Sequence, residues 1–185
     1  MNTAFLAILI GAVVVVAVAI LIILQKRRTA TLKGRFGPEY ERAVREYGGR
    51  YRAEKVLAQR AHRIQKYTIR SLTPSEQQQF TDDWRRTQAR FVDDPRAAIR
   101  EADALVAEVM RVRGYPMSDF DGRAEDLSVD HPYIVRNYRA AHAIALAQQG
   151  GRASTEDLRQ GMVLYRELFD ELLETHPAGM PEQRR

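Results

Sequence analysis

The chain carries one unbroken apolar segment, followed by short amphipathic segments. Residues Ala4 to Leu24 include no charged side chain, and a helix of that length extends about 31 Å, the thickness of a bilayer's hydrocarbon core. A cleaved signal peptide has a cation before a shorter apolar stretch and small residues at its end, whereas this segment ends in Ile22-Ile23-Leu24. We therefore predict a retained transmembrane helix over residues 4–24.

The segment after the span is basic and has a helical pattern. Residues 25–37 are predicted to be a basic linker, and Pro38 suits the first position of a juxtamembrane helix over residues 38–66. Two adjacent glycines in a helix interior cost about 2 kcal/mol relative to alanine, so we expect a break near Gly48-Gly49. Beyond the glycines the segment is very basic, and we expect this half to form a long, exposed stalk. The stripe of the juxtamembrane helix, at spacings of three and four, is Phe36, Tyr40, Val44, Tyr47 and Tyr51.

The distal part, residues 72–174, contains repeated signals for the start and end of helices. Thr73 and Glu76 match a capping box, Asp94 precedes a proline that suits a first helical position, and Gly114 favours a helix end. Later helix starts are predicted at Pro132 and Ser154, after a short helical turn. These signals divide the distal part into short helices joined by tight turns.

Apolar stripes in these helices predict the side chains of a shared core. No stretch alternates strictly between apolar and polar residues, as a half-buried strand would. The predicted fold class is all-α, with a single N-terminal transmembrane helix, a basic juxtamembrane helix and a distal helical bundle of about four helices. Residues 175–185 are predicted to be a disordered tail. Predicted core positions include Phe80, Trp84, Ala98, Ala102, Val109, Tyr138, Ala141, Leu146, Leu158, Tyr165 and Phe169.

The charges are distributed unevenly, and this distribution predicts the orientation in the membrane. Residues 25–66 contain 13 Lys and Arg against 4 Asp and Glu, whereas the rest of the soluble part is mildly acidic. By the positive-inside rule, the N-terminus lies outside and the C-terminal domain lies in the cytoplasm; the alternative is an extracytoplasmic domain. Cations beside a span meet anionic lipid headgroups. The residues predicted to make this contact are Lys26, Arg27, Arg28, Lys33 and Arg35.

The strongest candidates for chemistry are Asp126, Asp130, His131 and His142. An aspartate can orient an imidazole for acid–base work or begin a metal site, which supports a metal-dependent or acid–base hydrolase centred on Asp130 and His131 as an alternative function. We favour a structural interpretation, in which Asp130 satisfies free amides at the start of the next helix. The absence of cysteine excludes disulfides and thiol nucleophiles. We assign no catalytic residue, no metal ligand and no cofactor.

Three sequence blocks carry a resemblance to known proteins. They begin RFVDDP at Arg90, DLSVDHP at Asp126 and STEDLRQ at Ser154. In these blocks the chain resembles bacterial membrane-anchored helical proteins that share an N-terminal span and a basic linker, over most of residues 33–174. The resemblance implies a bacterial source and a helical domain, so we place the predicted span in the bacterial inner membrane. That family has no known activity, so it implies no functional residues.

These observations favour a non-enzymatic function. We interpret the chain as a single-pass, membrane-anchored interaction or scaffold module. The expected partners are a bilayer with anionic headgroups and either another protein or a second copy of the chain. A further alternative is binding of anionic lipid or nucleic acid through residues 26–66, with nucleic acid less favoured because the cations adjoin an apolar span.

Overall fold

The computed structural model describes residues 3–173, with side chains described from Ile10 onward. Within that range the chain is all-helical, with eight helices and no strand, so the predicted all-α class is confirmed. The predicted tail, residues 175–185, lies outside the described residues. The helices are α1 (Thr3–Phe36), α2 (Pro38–Glu46), α3 (Arg50–Ile64), α4 (Pro74–Asp93), α5 (Pro95–Arg113), α6 (Phe120–Asp130), α7 (Val135–Gln149) and α8 (Thr155–Leu173).

Helix α1 is long and apolar enough to span a membrane. Its described side chains from Ile10 to Leu24 are all exposed to the surroundings. The helix does not stop at the end of the apolar segment but continues through the predicted linker to Phe36. It ends there because Gly37 has a positive φ of 45° and Pro38 starts the next helix.

Residues Met1–Leu57 form one compact unit, called here the N-terminal unit. Gly48 and Gly49 separate α2 from α3 with φ values of 69° and 153°, so the helix breaks at the predicted glycines. The expectation of an exposed stalk is wrong, since α2 and α3 each bury one face. The buried apolar side chains of this unit are Leu32, Phe36, Tyr40, Ala43, Ala53 and Leu57.

The second compact unit, Ala58–Arg185, is called the C-terminal unit. Helix α5 packs against α4, α7 and α8, and α7 packs against both α6 and α8. Trp84 of α4 stacks on Phe169 of α8 with ring centroids 4.9 Å apart. Fully buried side chains between these helices include Ile99, Val106, Met110, Leu127, Tyr138, Tyr165, Leu168 and Leu172.

The predicted caps of the C-terminal unit are present. The Thr73 hydroxyl accepts a hydrogen bond from the Glu76 backbone N–H, and the Glu76 carboxylate accepts one from the Thr73 N–H. Asp94 accepts from the Ala97 N–H at the start of α5. Gly114 ends α5 in the left-handed conformation, with φ 95°. The reciprocal pair of Ser154 and Asp157 begins α8.

The segment around Pro132 differs from the prediction. Helix α6 extends eleven residues to Asp130, where only a short turn was expected, and α7 begins at Val135 rather than at Pro132. Asp130 therefore ends a helix and does not cap the start of one. The reason is that Asp119 supplies a cap for α6, accepting from the Gly122 N–H, and α6 then continues until the residue before proline leaves helical geometry.

Two predicted core positions are exposed. Tyr51 has 78% of its surface exposed, because the glycine break changes the helical register between Tyr40 and the start of α3. Leu146, on α7, is 49% exposed, while its neighbour Ala145 is buried. The stripe on α7 is thus narrower than the sequence indicates.

Candidate functional site

The cations that follow the apolar segment are exposed. Lys26, Arg27, Arg28 and Arg35 form no ion pair with any residue in the described range, so no described carboxylate neutralises their charges. Lys33 differs, since its ammonium lies 3.0 Å from the Glu41 carboxylate and 5.0 Å from the centre of the Tyr40 ring. Lys33 therefore connects α1 to α2.

Distance along α1 divides the exposed cations further. Lys26, Arg27 and Arg28 lie within about 6 Å of Leu24 along the helix axis. Arg35 lies about 16 Å beyond Leu24, which is roughly twice the Debye length at physiological salt. The first three cations therefore lie at the edge of the apolar segment, and Arg35 lies beyond them.

A buried carboxylate joins the three helices of the N-terminal unit. Glu54, only 8% exposed, accepts hydrogen bonds at Oε1 from the Thr29 hydroxyl at 2.7 Å and from the Tyr40 hydroxyl at 2.9 Å. Burial raises the pKa of Tyr40, and the hydrogen bond to Glu54 raises it further. Tyr40 therefore stays a protonated donor. No sequence pattern indicates this cluster, because a glutamate in a basic helix resembles a solvated residue.

Asp126, the first candidate for chemistry, belongs to an ion-pair cluster. It is 1% exposed, and its Oδ1 lies 2.8 Å from Nε and 2.5 Å from Nη2 of Arg63. Glu125 pairs with Arg60 at 2.7 Å beside it. Burial raises the pKa of Asp126, and the guanidinium of Arg63 opposes that rise. The cluster joins the end of α3 to α6 within the C-terminal unit.

Asp130 and His131 are adjacent in sequence but have different partners. The Tyr115 hydroxyl donates a 3.2 Å hydrogen bond to Asp130 Oδ2, and burial together with the Asp130 charge raises the pKa of Tyr115. His131 Nδ1 lies 2.8 Å from Oε1 of Glu171, on α8. Asp130 and His131 therefore belong to separate contacts, in which Glu171 rather than Asp130 faces the imidazole.

His142 belongs to a third group of residues. Its ring stacks on Phe120 with centroids 3.6 Å apart, and its Nδ1 lies 3.5 Å from Asp103 Oδ1. Asp103 also accepts a 2.7 Å hydrogen bond from the Tyr165 hydroxyl. Burial raises the pKa of Tyr165, and the Asp103 charge adds to that effect, so the phenol remains protonated. This group holds α5, α6, α7 and α8 together.

The structure therefore distributes the candidate residues among separate contacts. Within residues 3–173, no group of three His, Asp or Glu side chains is placed to hold a metal ion. Sequence reasoning missed the contributions of Asp103 and Arg63. Asp103 follows the buried Ala102 directly on α5. An acidic residue next to a buried stripe needs a polar partner, and this is the sequence signal that indicates the contacts of Asp103.

A groove of about 450 Å³ lies between α4 and α5. Both signs of charge line it, and Arg90 crosses it to pair with Glu101 at 2.5 Å. Thr87 forms a buried part of the lining. The mixed and internally paired charge gives the groove no selectivity for one class of ligand.

No protein-family model, curated protein or solved structure matches the chain. Two features of the chain bear on its function. The cations after the apolar segment of α1 are exposed, and Asp126, Asp130 and His131 each contact another side chain of the protein.

Proposed function

We propose that the protein is a single-pass membrane protein that holds a partner protein, or a second copy of itself, at the bilayer surface. The observation that carries this proposal is the form of α1. Its side chains from Ile10 to Leu24 are apolar and exposed, which in water would be a large unfavourable surface. A bilayer covers that surface, and the helix then delivers the rest of the chain to the membrane edge.

The charges after the span support a cytoplasmic C-terminal domain. Lys26, Arg27 and Arg28 are exposed and unpaired with any described residue, and all lie at the edge where the positive-inside rule counts cations. The resemblance of the sequence blocks to bacterial membrane-anchored proteins supports the bacterial inner membrane as the location. The N-terminus is then outside the cell membrane.

The side-chain contacts of the C-terminal unit support an interaction function more than a catalytic one. A bundle of about four helices, α4, α5, α7 and α8, supplies a firm surface. Two of the candidates for acid–base chemistry contact oppositely charged residues within the unit: Asp126 contacts Arg63, and His131 contacts Glu171. What the unit offers a partner is its exposed helical surface.

A pair of reporter fusions after Arg185 tests the orientation. Green fluorescent protein at this position should be fluorescent, and alkaline phosphatase should be inactive, because both reporters would be in the cytoplasm. A matched variant, K26Q/R27Q/R28Q, should shift part of the population toward active phosphatase. Active phosphatase on the unaltered chain, or a mature chain that begins after Leu24 by mass spectrometry, would contradict the proposal.

Crosslinking in native membranes tests the interaction function. Two copies with different tags should copurify after crosslinking if the partner is a second copy, and a discrete heavier product with one tag indicates another protein. A chain that stays monomeric under saturating crosslinker, at native expression, would rule out a holding function.

A further inference from the structure

The turn between α2 and α3 is the most exposed basic and aromatic feature of the N-terminal unit. We call residues 47–52 the α2–α3 tip. Tyr51 is 78% exposed, and the side chains of Arg50 and Arg52 are exposed without an ion pair to any described residue. In contrast, Arg42 on α2 has carboxylates of Glu39 and Glu46 within 3.6 Å. The tip therefore displays positive charge that no described carboxylate neutralises.

The hydrogen bonds of Glu54 place this tip near the end of the apolar segment. Thr29 lies about 7.5 Å beyond Leu24 along α1, and its hydroxyl contacts Glu54 directly. Arg50 lies about 6 Å before Glu54 along α3. If α3 ran directly toward the apolar segment, Arg50 would lie about 14 Å beyond the level of Leu24, and it lies closer if α3 runs the other way.

Contacts between α1 and α2 show toward which end of α1 the tip lies. Helix α2 starts just after Phe36, and its Glu41 pairs with Lys33, three residues before Phe36. The Tyr40 hydroxyl shares the Glu54 carboxylate with Thr29, seven residues before Phe36. Helix α2 therefore runs back along α1, and the α2–α3 tip at its end lies toward the apolar segment.

The chemistry of the tip fits the surface of a bilayer. The headgroup region adds roughly 5–7 Å on each side of the hydrocarbon core, which is within reach of side chains from the tip. Tyrosine is enriched at this depth, where its ring meets apolar chains and its hydroxyl meets water. Arginine near the surface is attracted to anionic lipids and can bind their phosphates through two N–H groups.

We infer that the α2–α3 tip is a second membrane contact, in which Tyr51 inserts among the headgroups while Arg50 and Arg52 bind the phosphates of anionic lipids. This inference rests on the proposed crossing of the membrane by α1. Together with Lys26, Arg27 and Arg28, the tip attaches the N-terminal unit to the bilayer at two places. Two attachments fix the rotation of the unit about the α1 axis, which a single helix cannot do.

Tryptophan fluorescence in the full chain provides the test. Trp84 is the single tryptophan, so a W84F background allows one reporter at a time, and phenylalanine retains an aromatic ring against Phe169. The reporters are Y51W at the tip, V16W within the apolar segment and V92W on the exposed surface of α4. Each chain is reconstituted into vesicles of phosphatidylcholine and phosphatidylglycerol that contain lipids brominated at different depths.

The inference predicts a different quenching depth for each reporter. V16W should be quenched most by bromine deep in the acyl chains, Y51W by bromine near the headgroups, and V92W by neither. The double substitution R50Q/R52Q should reduce the ratio of membrane-bound to free tip by about thirtyfold, since each basic residue near an anionic surface contributes about 1 kcal/mol, or slightly more than a factor of five. The matched pair R96Q/R100Q, also exposed and unpaired with described residues, should leave Y51W unchanged.

The reporters separate failure of the inference from failure of the proposed function. Quenching of V16W with Y51W as unquenched as V92W would overturn the inference and leave the membrane crossing intact. Absence of V16W quenching would overturn the crossing itself. Quenching of Y51W that is equal in pure phosphatidylcholine and unaffected by R50Q/R52Q would overturn the phosphate contacts. A Y51W response to single-stranded RNA but not to lipid would identify the tip as a nucleic-acid surface instead.

Discussion

The N-terminal and C-terminal units are stabilised in different ways. In the N-terminal unit, three helices meet at the carboxylate of Glu54, which Thr29 and Tyr40 share. In the C-terminal unit, the helices bury a broad set of apolar side chains and have capped ends, such as the reciprocal pair Thr73 and Glu76. The first unit therefore joins its helices through one shared polar contact beside a few buried apolar side chains, and the second distributes its stability over many apolar contacts.

The largest effect expected from this difference is the loss of a large side chain from the C-terminal core. Phe169→Ala removes the ring that stacks on Trp84 and leaves a cavity, so the free energy of unfolding should fall by about 3–5 kcal/mol. Urea unfolding of the full chain in detergent, followed by circular dichroism, measures it. The surface variant Val92→Ala should change the free energy by less than about 0.5 kcal/mol. Equal effects from both variants would mean that the C-terminal unit lacks a packed core.

A smaller and more local effect is expected from Glu54→Ala. This change leaves the Thr29 and Tyr40 hydroxyls without their shared acceptor, and hydrogen bonds to a charged group contribute about 1.5–3 kcal/mol each. Amide hydrogen exchange in α2 should accelerate, while exchange in α5 stays unchanged. Lys55→Ala, at the exposed neighbour of Glu54 on α3, is the matched control. Protection of α2 that survives Glu54→Ala would show that apolar contacts, not Glu54, hold the N-terminal unit.

The same contrast explains how far the sequence predicted the structure. Caps and stripes are local patterns, so Thr73, Asp94 and Gly114 marked helix ends that the structure confirms. The contacts of Glu54 and Arg63 join residues far apart in sequence and leave no periodic pattern. The prediction that Asp130 caps the start of a helix is wrong, because the pattern Asp-x-Pro occurs both at the start of one helix and at the end of another.

The candidate site was predictable only in part, for the same physical reason. The exposed cations Lys26, Arg27 and Arg28 follow from composition, since nothing nearby in sequence neutralises them. Lys33 and Glu41 are eight residues apart, a spacing that does not bring two side chains into contact along a single helix. They pair because the chain turns at Gly37. The partners of His131 and His142 come from helices that are distant in sequence.

Removing a helix cap should have a moderate effect. Thr73→Ala deletes the hydroxyl that accepts from the Glu76 N–H, and loss of such a cap costs about 1 kcal/mol. The urea midpoint of the full chain in detergent should fall accordingly. Ser71→Ala, two residues earlier and exposed, should leave the midpoint unchanged. Identical midpoints for Thr73→Ala and the unaltered protein would show that the start of α4 does not contribute to the stability of the C-terminal unit.

The smallest expected effect is a change in acid sensitivity through Glu76. The guanidinium of Arg70 and the Thr73 N–H, which donate hydrogen bonds to this carboxylate, lower its pKa from 4.5 to about 2. Because the folded pKa lies below the unfolded one, the contribution to stability is present above about pH 4.5 and is lost as the pH falls toward 2. Urea midpoints measured at pH 6 and pH 3 report this loss.

Glu76→Gln should make that loss smaller, because glutamine still accepts from the Thr73 N–H but does not titrate. Arg70→Gln should have a similar effect by a different route, since removing the guanidinium returns the pKa of Glu76 toward its ordinary value. A midpoint difference between pH 6 and pH 3 that is the same in all three proteins would show that the capping box contributes through geometry alone. In that case the charge at the start of α4 would contribute little to the stability of the C-terminal unit, which would depend on the apolar contacts of its core.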